Sequence, residues 1–261
     1  MPNWVCNHLT IHGENSVEVM RSLLTKNEDN YCGYDFDLNK IRPMPDELNI
    51  VSGTITTNCA RLYVNAILQE TNAFMKYAGL FAQAFQRDFY LTESEQMQLM
   101  SDALEYKNYP SKELFFKTKA DVYAYGKRAL DNYAQYGAKD WYDWCRYNWG
   151  TKWNACDTQI IDLNTADIYF NTAWSPISDL IGELAKQYPE CCFDYQYAEE
   201  QAGVYAGYRN YENGEEVSGE DYPEFSKEAY EMFFSMWGME DEFEFNEEKG
   251  TYEYIDTEEV M

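Results

Sequence analysis

Apolar and polar residues alternate over 4–12, which predicts a strand. Val5, Leu9 and Ile11 would face a core, with Cys6, His8, Thr10 and His12 on the other face. Gly13-Glu14-Asn15 breaks the strand, and Val17, Met20, Leu23 and Leu24 then follow a helical period. Residues 34–39 alternate again before Pro43 and Pro45. From about residue 58 to 137 the period is helical: Leu62, Val64, Ile67 and Leu68 form one stripe, and Phe74, Tyr77, Leu80, Phe81 and Phe85 another. Thr92 with Glu95, and Thr118 with Asp121, have capping-box spacing, and Gly137 is a C-terminal stop. The block predicts about four helices.

Residues 140–149 predict a short helix closed by Gly150. Strands are expected at 158–162 and 166–171, with Leu163-Asn164-Thr165 as the turn. Ser175-Pro176 reads as a cap and a first-turn proline for a helix bearing Ile177, Leu180, Ile181, Leu184 and Tyr188. Residues 191–197 and 202–208 read as strands, and Asn213-Gly214 as a two-residue hairpin turn. Without the helical block the order is β-α-β-β-α-β. The fold class is therefore α+β: a ferredoxin-like split βαβ sheet with a large helical insertion between the first helix and second strand, and extra C-terminal strands. The expected divisions are 1–56 and 140–218 for the two halves of the sheet domain, 57–139 for the insertion and 219–261 for an acidic, aromatic-rich C-terminal part.

Charge sharpens this picture. The 261 residues hold 46 acids against 20 bases, a net charge of −26. An apolar share of 45%, with 17% aromatic, excludes wholesale disorder. Such a chain repels nucleic-acid phosphate and anionic membranes, so neither is an expected partner, and it favours cationic surfaces. Residues 212–261 carry 18 acids and two lysines, so −16 of the charge sits in the last fifth. Aromatic residues interleave these acids: Tyr230, Phe233, Phe234 and Trp237 at helical spacing, Phe243 with Phe245 and Tyr252 with Tyr254 at strand spacing. A docked helix followed by an acidic hairpin is expected. The candidate partner-binding surface is Glu215, Glu216, Glu220, Asp221, Glu224, Glu228, Glu231, Glu240, Asp241, Glu242, Glu244, Glu247 and Glu248.

Met1-Pro2-Asn3-Trp4 lacks the features of a secretory signal, and no apolar run approaches the roughly 18 residues of a membrane span. Seven cysteines, an odd number with Cys191 and Cys192 adjacent, fit reduced thiols and a cytoplasmic protein better than a disulfide framework. No metal, nucleotide or nucleophile signature is present, so no cofactor, metal or catalytic residue is assigned. His8 and His12 share a strand face at a separation of roughly 13 Å, too far for one metal ion. Either could serve as a lone general base, with Asp35 and Asp37 as distant candidates to join it. Trp141, Trp144, Trp149 and Trp153 crowd into 13 residues with Arg146 and Lys152. A structural plug is the favoured reading, and an aromatic platform for bases or a ligand is the other.

Several strings carry a resemblance: Met1-Pro2-Asn3-Trp4-Val5-Cys6-Asn7-His8-Leu9-Thr10-Ile11, Ile41-Arg42-Pro43-Met44-Pro45-Asp46-Glu47-Leu48, Trp144-Cys145-Arg146-Tyr147-Asn148-Trp149-Gly150-Thr151-Lys152-Trp153-Asn154-Ala155 and Phe170-Asn171-Thr172-Ala173-Trp174-Ser175-Pro176. Together they resemble the YubB-type, Api-like family of mobile-element proteins with a ferredoxin-like domain. Its signature would fall on Trp4, Asn7, Trp144, Asn148, Trp149, Gly150, Lys152, Trp153, Asn154 and Trp174. The resemblance implies the fold and a phage or plasmid setting, and carries no catalytic residue.

These readings converge on a non-catalytic acidic binding protein of a phage or plasmid type. It would inhibit a basic host protein, a nucleic-acid-binding or defence factor, by presenting a DNA-like negative surface. The alternative is an enzyme of unknown class using cleft carboxylates with a divalent metal.

Overall fold

The computed structural model describes residues 3–106 and 116–255. The chain divides into two compact units, Met1–Pro43 with Cys145–Met261, and Met44–Trp144. The first opens with β1 (Trp4–His12), α1 (Ser16–Ser22) and a short hairpin of β2 (Leu24–Lys26) and β3 (Tyr34–Phe36). In α1 the buried residues are Val19 and Met20, followed by Leu23, while Val17 is only half-buried. The apolar stripe is rotated from the expected one because Leu24 has already left the helix for β2.

The second unit holds α2 (Thr54–Ala66), α3 (Thr71–Phe85), α4 (Glu93–Glu105) and α5 (Lys119–Tyr136). Both capping boxes form, and Gly137 ends α5 at φ 70°. Bonds from Thr92 and Thr118 hold the Glu95 and Asp121 carboxyls below their usual range. A Cβ on Gly126 of α5 would stand 2.1 Å from the Cys59 carbonyl oxygen of α2, so only glycine permits this approach. The unit also takes in residues ahead of α2. The Glu47 carbonyl accepts from Arg128 Nε at 3.0 Å and from Asn132 Nδ2 at 2.8 Å, both on α5.

The chain continues through α6 (Trp141–Asn148), β4 (Cys156–Gln159), β5 (Asp167–Ala173), α7 (Ser178–Gln187), β6 (Cys192–Glu199), β7 (Ala206–Glu212), β8 (Glu215–Asp221), α8 (Lys227–Trp237), β9 (Phe243–Asn246) and β10 (Thr251–Tyr254). A six-stranded antiparallel sheet runs in the order β4-β5-β1-β6-β7-β8. Its β4-β5-β1-β6 part, with α1 and α7, is the ferredoxin-like plan, and β7 and β8 extend it.

Three local expectations shift. The strand expected at 158–162 is Cys156–Gln159, and Ile161 lies exposed in the loop beyond it. Ser175 does not cap α7, which begins at Ser178. The Tyr195 hydroxyl instead accepts from the Ile177 N–H at 2.8 Å, so a side chain from β6 takes the cap's role. The strand expected at 202–208 begins at Ala206, because Gly203 and Tyr205 turn at positive φ. The Asn213-Gly214 turn forms as expected, with φ of 52° and 79°.

The sheet has two differently dressed faces. α7 lies on the face of Tyr195 and Tyr211, where the Tyr211 hydroxyl donates to the Ser178 carbonyl at 2.8 Å. On the opposite face Ala198 and Ala206 oppose each other in register, and their small side chains admit α8. Trp237 Nε1 donates to the Ala198 carbonyl at 3.0 Å, and the Cys6 thiol points to the Met236 carbonyl at 3.9 Å.

Candidate acidic interface

Residues beyond β7 carry the charge on ordered elements. All seven residues of β8 are exposed, among them Glu215, Glu216, Glu220 and Asp221. Glu224 precedes α8, and Glu228 and Glu231 lie on its exposed side. Ser226 caps α8, accepting from the Ala229 N–H at 3.2 Å. Glu240, Asp241 and Glu242 form a short 3-10 turn, and Glu244, Glu247 and Glu248 lie on β9 and its turn. Of these thirteen carboxylates only Glu242 is half-buried, accepting from the Tyr254 hydroxyl at 2.9 Å.

An aromatic core anchors this frame. Tyr230 and Phe233 of α8 are buried. The Tyr230 ring lies 5.7 Å from Phe243 and 5.6 Å from Tyr252, and Phe234 meets Tyr252 edge-on at 5.0 Å. The Thr251 hydroxyl donates to the Phe225 carbonyl at 2.6 Å, tying β10 to the segment before α8.

Few cations answer these acids. Among the described residues, ion pairs reach Glu216 and Asp221 from Arg209, at 3.7 and 2.7 Å, and Glu231 from Lys227 at 3.6 Å. Arg209 is the cation that sequence reasoning missed. It stands on β7 opposite Gly219, whose bare Cα lets its side chain cross β8. The Tyr197 hydroxyl, then Arg209, hold the Asp221 carboxyl below its usual range; burial and Asp221 raise the Tyr197 phenol.

The signature residues divide between core and surface. Asn7 is fully buried on the core face: its Nδ2 donates to the Val5 and Phe170 carbonyls and to Thr172 Oγ1, and its Oδ1 accepts from the Tyr195 hydroxyl. Trp144 and Trp149 are buried, and Trp149 Nε1 donates to the Arg42 carbonyl at 2.8 Å. Arg42 in turn donates to the Asn148 carbonyl at 2.7 Å. Gly150 turns at φ 79°. Asn154 Oδ1 accepts from the Leu38 N–H at 2.8 Å, and its Nδ2 donates to Asp37. Trp4, Lys152, Trp153 and Trp174 instead gather at the surface.

His8 and His12 acquire carboxylate partners that the sequence did not suggest. His8 Nε2 lies 2.8 Å from Asp167 Oδ1, its ring stacked 4.0 Å from Tyr169, and His12 Nε2 lies 2.8 Å from Asp194 Oδ2. Strand parity was the available signal, since Tyr169 opposes His8 and Asp194 opposes Thr10 on one sheet face. Asp35 is held elsewhere by Asn27 and Asn30, and Asp37 by Thr25, Asn39 and Asn154. A cavity of about 740 Å³ lies apart from both histidines, lined by Arg42, Arg146, Trp149, Asp179, Glu183 and Glu215 among others. Among the described residues no three His, Cys, Asp or Glu are placed to hold a metal ion. All seven cysteines are free thiols, and burial raises Cys6 to about 11 and Cys59 to about 12. Among the described residues no helix is long and apolar enough to cross a membrane.

Residues 148–240, about a third of the chain, match the family model described as a ferredoxin-like domain in Api92-like protein. This match agrees with the Api-like resemblance of the Trp-rich strings. No curated protein matches the chain. Among solved structures the chain is similar to the crystal structure of a protein Api92 from Yersinia pseudotuberculosis, with 13% identity, 85% of this chain and 99% of that chain covered, and a TM-score of 0.36.

Proposed function

We propose that this chain is a non-catalytic acidic binding protein that presents a DNA-like negative surface to a basic partner, a host nucleic-acid-binding or defence protein. The observation that supports it is the state of the thirteen carboxylates after β7: twelve are exposed, they ride on framed elements, and cations among the described residues reach three. A protein that grips nucleic acid through Lys and Arg meets, on this surface, charge of the sign its own site selects. Charge held on a folded frame costs less ordering on binding than charge on a loose tail. Complementary fields also give a fast, salt-sensitive association. The YubB-type phage or plasmid setting, which the strings resemble, supplies the choice of a host factor as target.

The test compares the native chain with a variant carrying Glu215→Gln, Glu220→Gln, Glu224→Gln, Glu228→Gln and Glu240→Gln. Each is used as bait in host lysate at low and high salt, and captured proteins are competed with duplex DNA. The native chain is expected to hold a basic nucleic-acid-binding protein at low salt, to release it at high salt, and to lose it to DNA. Equal capture by the variant, or no basic protein recovered at low salt, rejects the proposal.

A further inference from the structure

We propose that Trp4, Trp153 and Trp174 form a clamp for an organic cation, the lysine or arginine side chain of a second protein, which Lys152 of the same chain now occupies. This goes beyond the acidic surface and uses none of its residues. Lys152 Nζ stands 4.1 Å from the ring centre of Trp153 and 4.8 Å from that of Trp174, so two indoles address one ammonium group. Trp4 continues the aromatic surface, its ring 6.0 Å from Trp153. Trp153 and Trp174 are 36% and 39% exposed, so a ligand can reach both from solvent.

The backbone holds this arrangement under strain. Trp174 adopts φ 76°, a left-handed conformation that bulky residues avoid, and its N–H donates to the Asn3 carbonyl at 2.9 Å. The stretch bearing Lys152 and Trp153 is pinned on both sides. The buried Thr151 hydroxyl donates to the Ala173 carbonyl at 2.9 Å and accepts the Ala173 N–H at 3.0 Å. Asn154 is fixed by Leu38 and Asp37, as above. An indole pair set on rigid supports loses little freedom when it closes on a ligand.

The chemistry of the neighbours selects a cation. Asn3, which holds Trp174, donates to the Glu199 carboxylate at 2.5 Å, and the Glu200 N–H donates to the Trp4 carbonyl at 2.8 Å. One carboxylate, Glu199, is thus joined to the clamp through Asn3, and the group the two rings already face is a cation, Lys152. Lys152 is the example already seated: an incoming ammonium or guanidinium would take its place on the ring faces, and Lys152 would swing to solvent.

The experiment follows the indole N–H signals of the full chain by NMR, in the native protein and in Lys152→Met, which keeps length but removes charge. The probes are Nα-acetyl-arginine methylamide, its uncharged norleucine counterpart and a single-stranded oligothymidine. Saturable movement of the Trp153 and Trp174 signals is expected with the arginine probe alone. It should be about tenfold tighter in Lys152→Met, where no internal cation competes. Adding Trp174→Ala should remove it while the Trp149 signal, from a buried indole, reports an intact fold. The five-glutamine variant should respond as the native chain does. Equal response to norleucine, response to the oligonucleotide only, response surviving Trp174→Ala, or loss in the five-glutamine variant each overturns the clamp, the last assigning the cation to the acidic surface instead.

Discussion

At one edge of the six-stranded sheet β4 is closed over by the β2–β3 hairpin; at the other β8 lies open along its seven residues. The closed edge uses specific bonds. The Phe36 N–H donates to Thr158 Oγ1 at 2.9 Å, and the Cys32 thiol points to the Thr158 carbonyl at 3.3 Å. The open edge uses charge and a break in register between Asn210 and Tyr211. Both solve the same problem, an exposed ladder that would recruit other strands. They leave different surfaces: the first is covered in part by the hairpin, with Asp157 and Gln159 of β4 still exposed, and the second lies open with its carboxylates in solvent.

Substitutions separate the two solutions. The largest effect is expected at the closed edge, where Thr158→Val keeps the shape but strands the buried Phe36 N–H. Unfolding in urea should show a loss of about 1–3 kcal/mol with an unchanged denaturant slope. No loss would mean that the hairpin does not hold that edge. Next comes Gly219→Ala on β8, whose new Cβ would stand 2.4 Å from Arg209 Cδ and 2.8 Å from Glu216 Oε1. These are movable side chains, so the same measurement should give about 1 kcal/mol, with the Arg209 pairs loosened.

A smaller, pH-dependent effect is expected from Asp221→Asn. The folded carboxyl sits below its ordinary value of 3.8, so its contribution is present above that pH and is lost as pH falls through the depressed folded value. The stability difference between native and variant should therefore be steady near neutrality and close in strong acid. A difference that persists there would remove the charged pair as its cause. The smallest effect on stability belongs to Glu215→Gln with Glu220→Gln, within about 0.5 kcal/mol. This pair should instead raise concentration-dependent association in light scattering. A variant that stays as dispersed as the native chain would show that these charges do not guard the edge.

Much of the architecture was legible because it rests on local chemistry. Alternation located β1, periodicity located the four helices of the second unit, and the Thr92 and Thr118 boxes formed as their spacing requires. The aromatic–acid interleaving of residues 227–254 likewise became α8 and its hairpin, since each pattern buries one face. What was misplaced depended on distant partners. The start of α7 moved because Tyr195 reaches the Ile177 N–H. The crowded tryptophans did not act as one plug: Trp149 is buried, while Trp153 joins Trp174 and Trp4 at the surface. The carboxylates beside His8 and His12 came from β5 and β6, beyond any local spacing.

By itself, then, the amino-acid order determined which stretches become strands and helices, where most of them stop, and where negative charge accumulates. Those outcomes need only neighbours within a turn or a strand pair. Tertiary structure alone decided which edge stays open, that Arg209 crosses Gly219 to meet Glu216 and Asp221, and that Lys152 meets two exposed indoles. Those contacts join residues far apart in the chain, and sheet order and register bring them together.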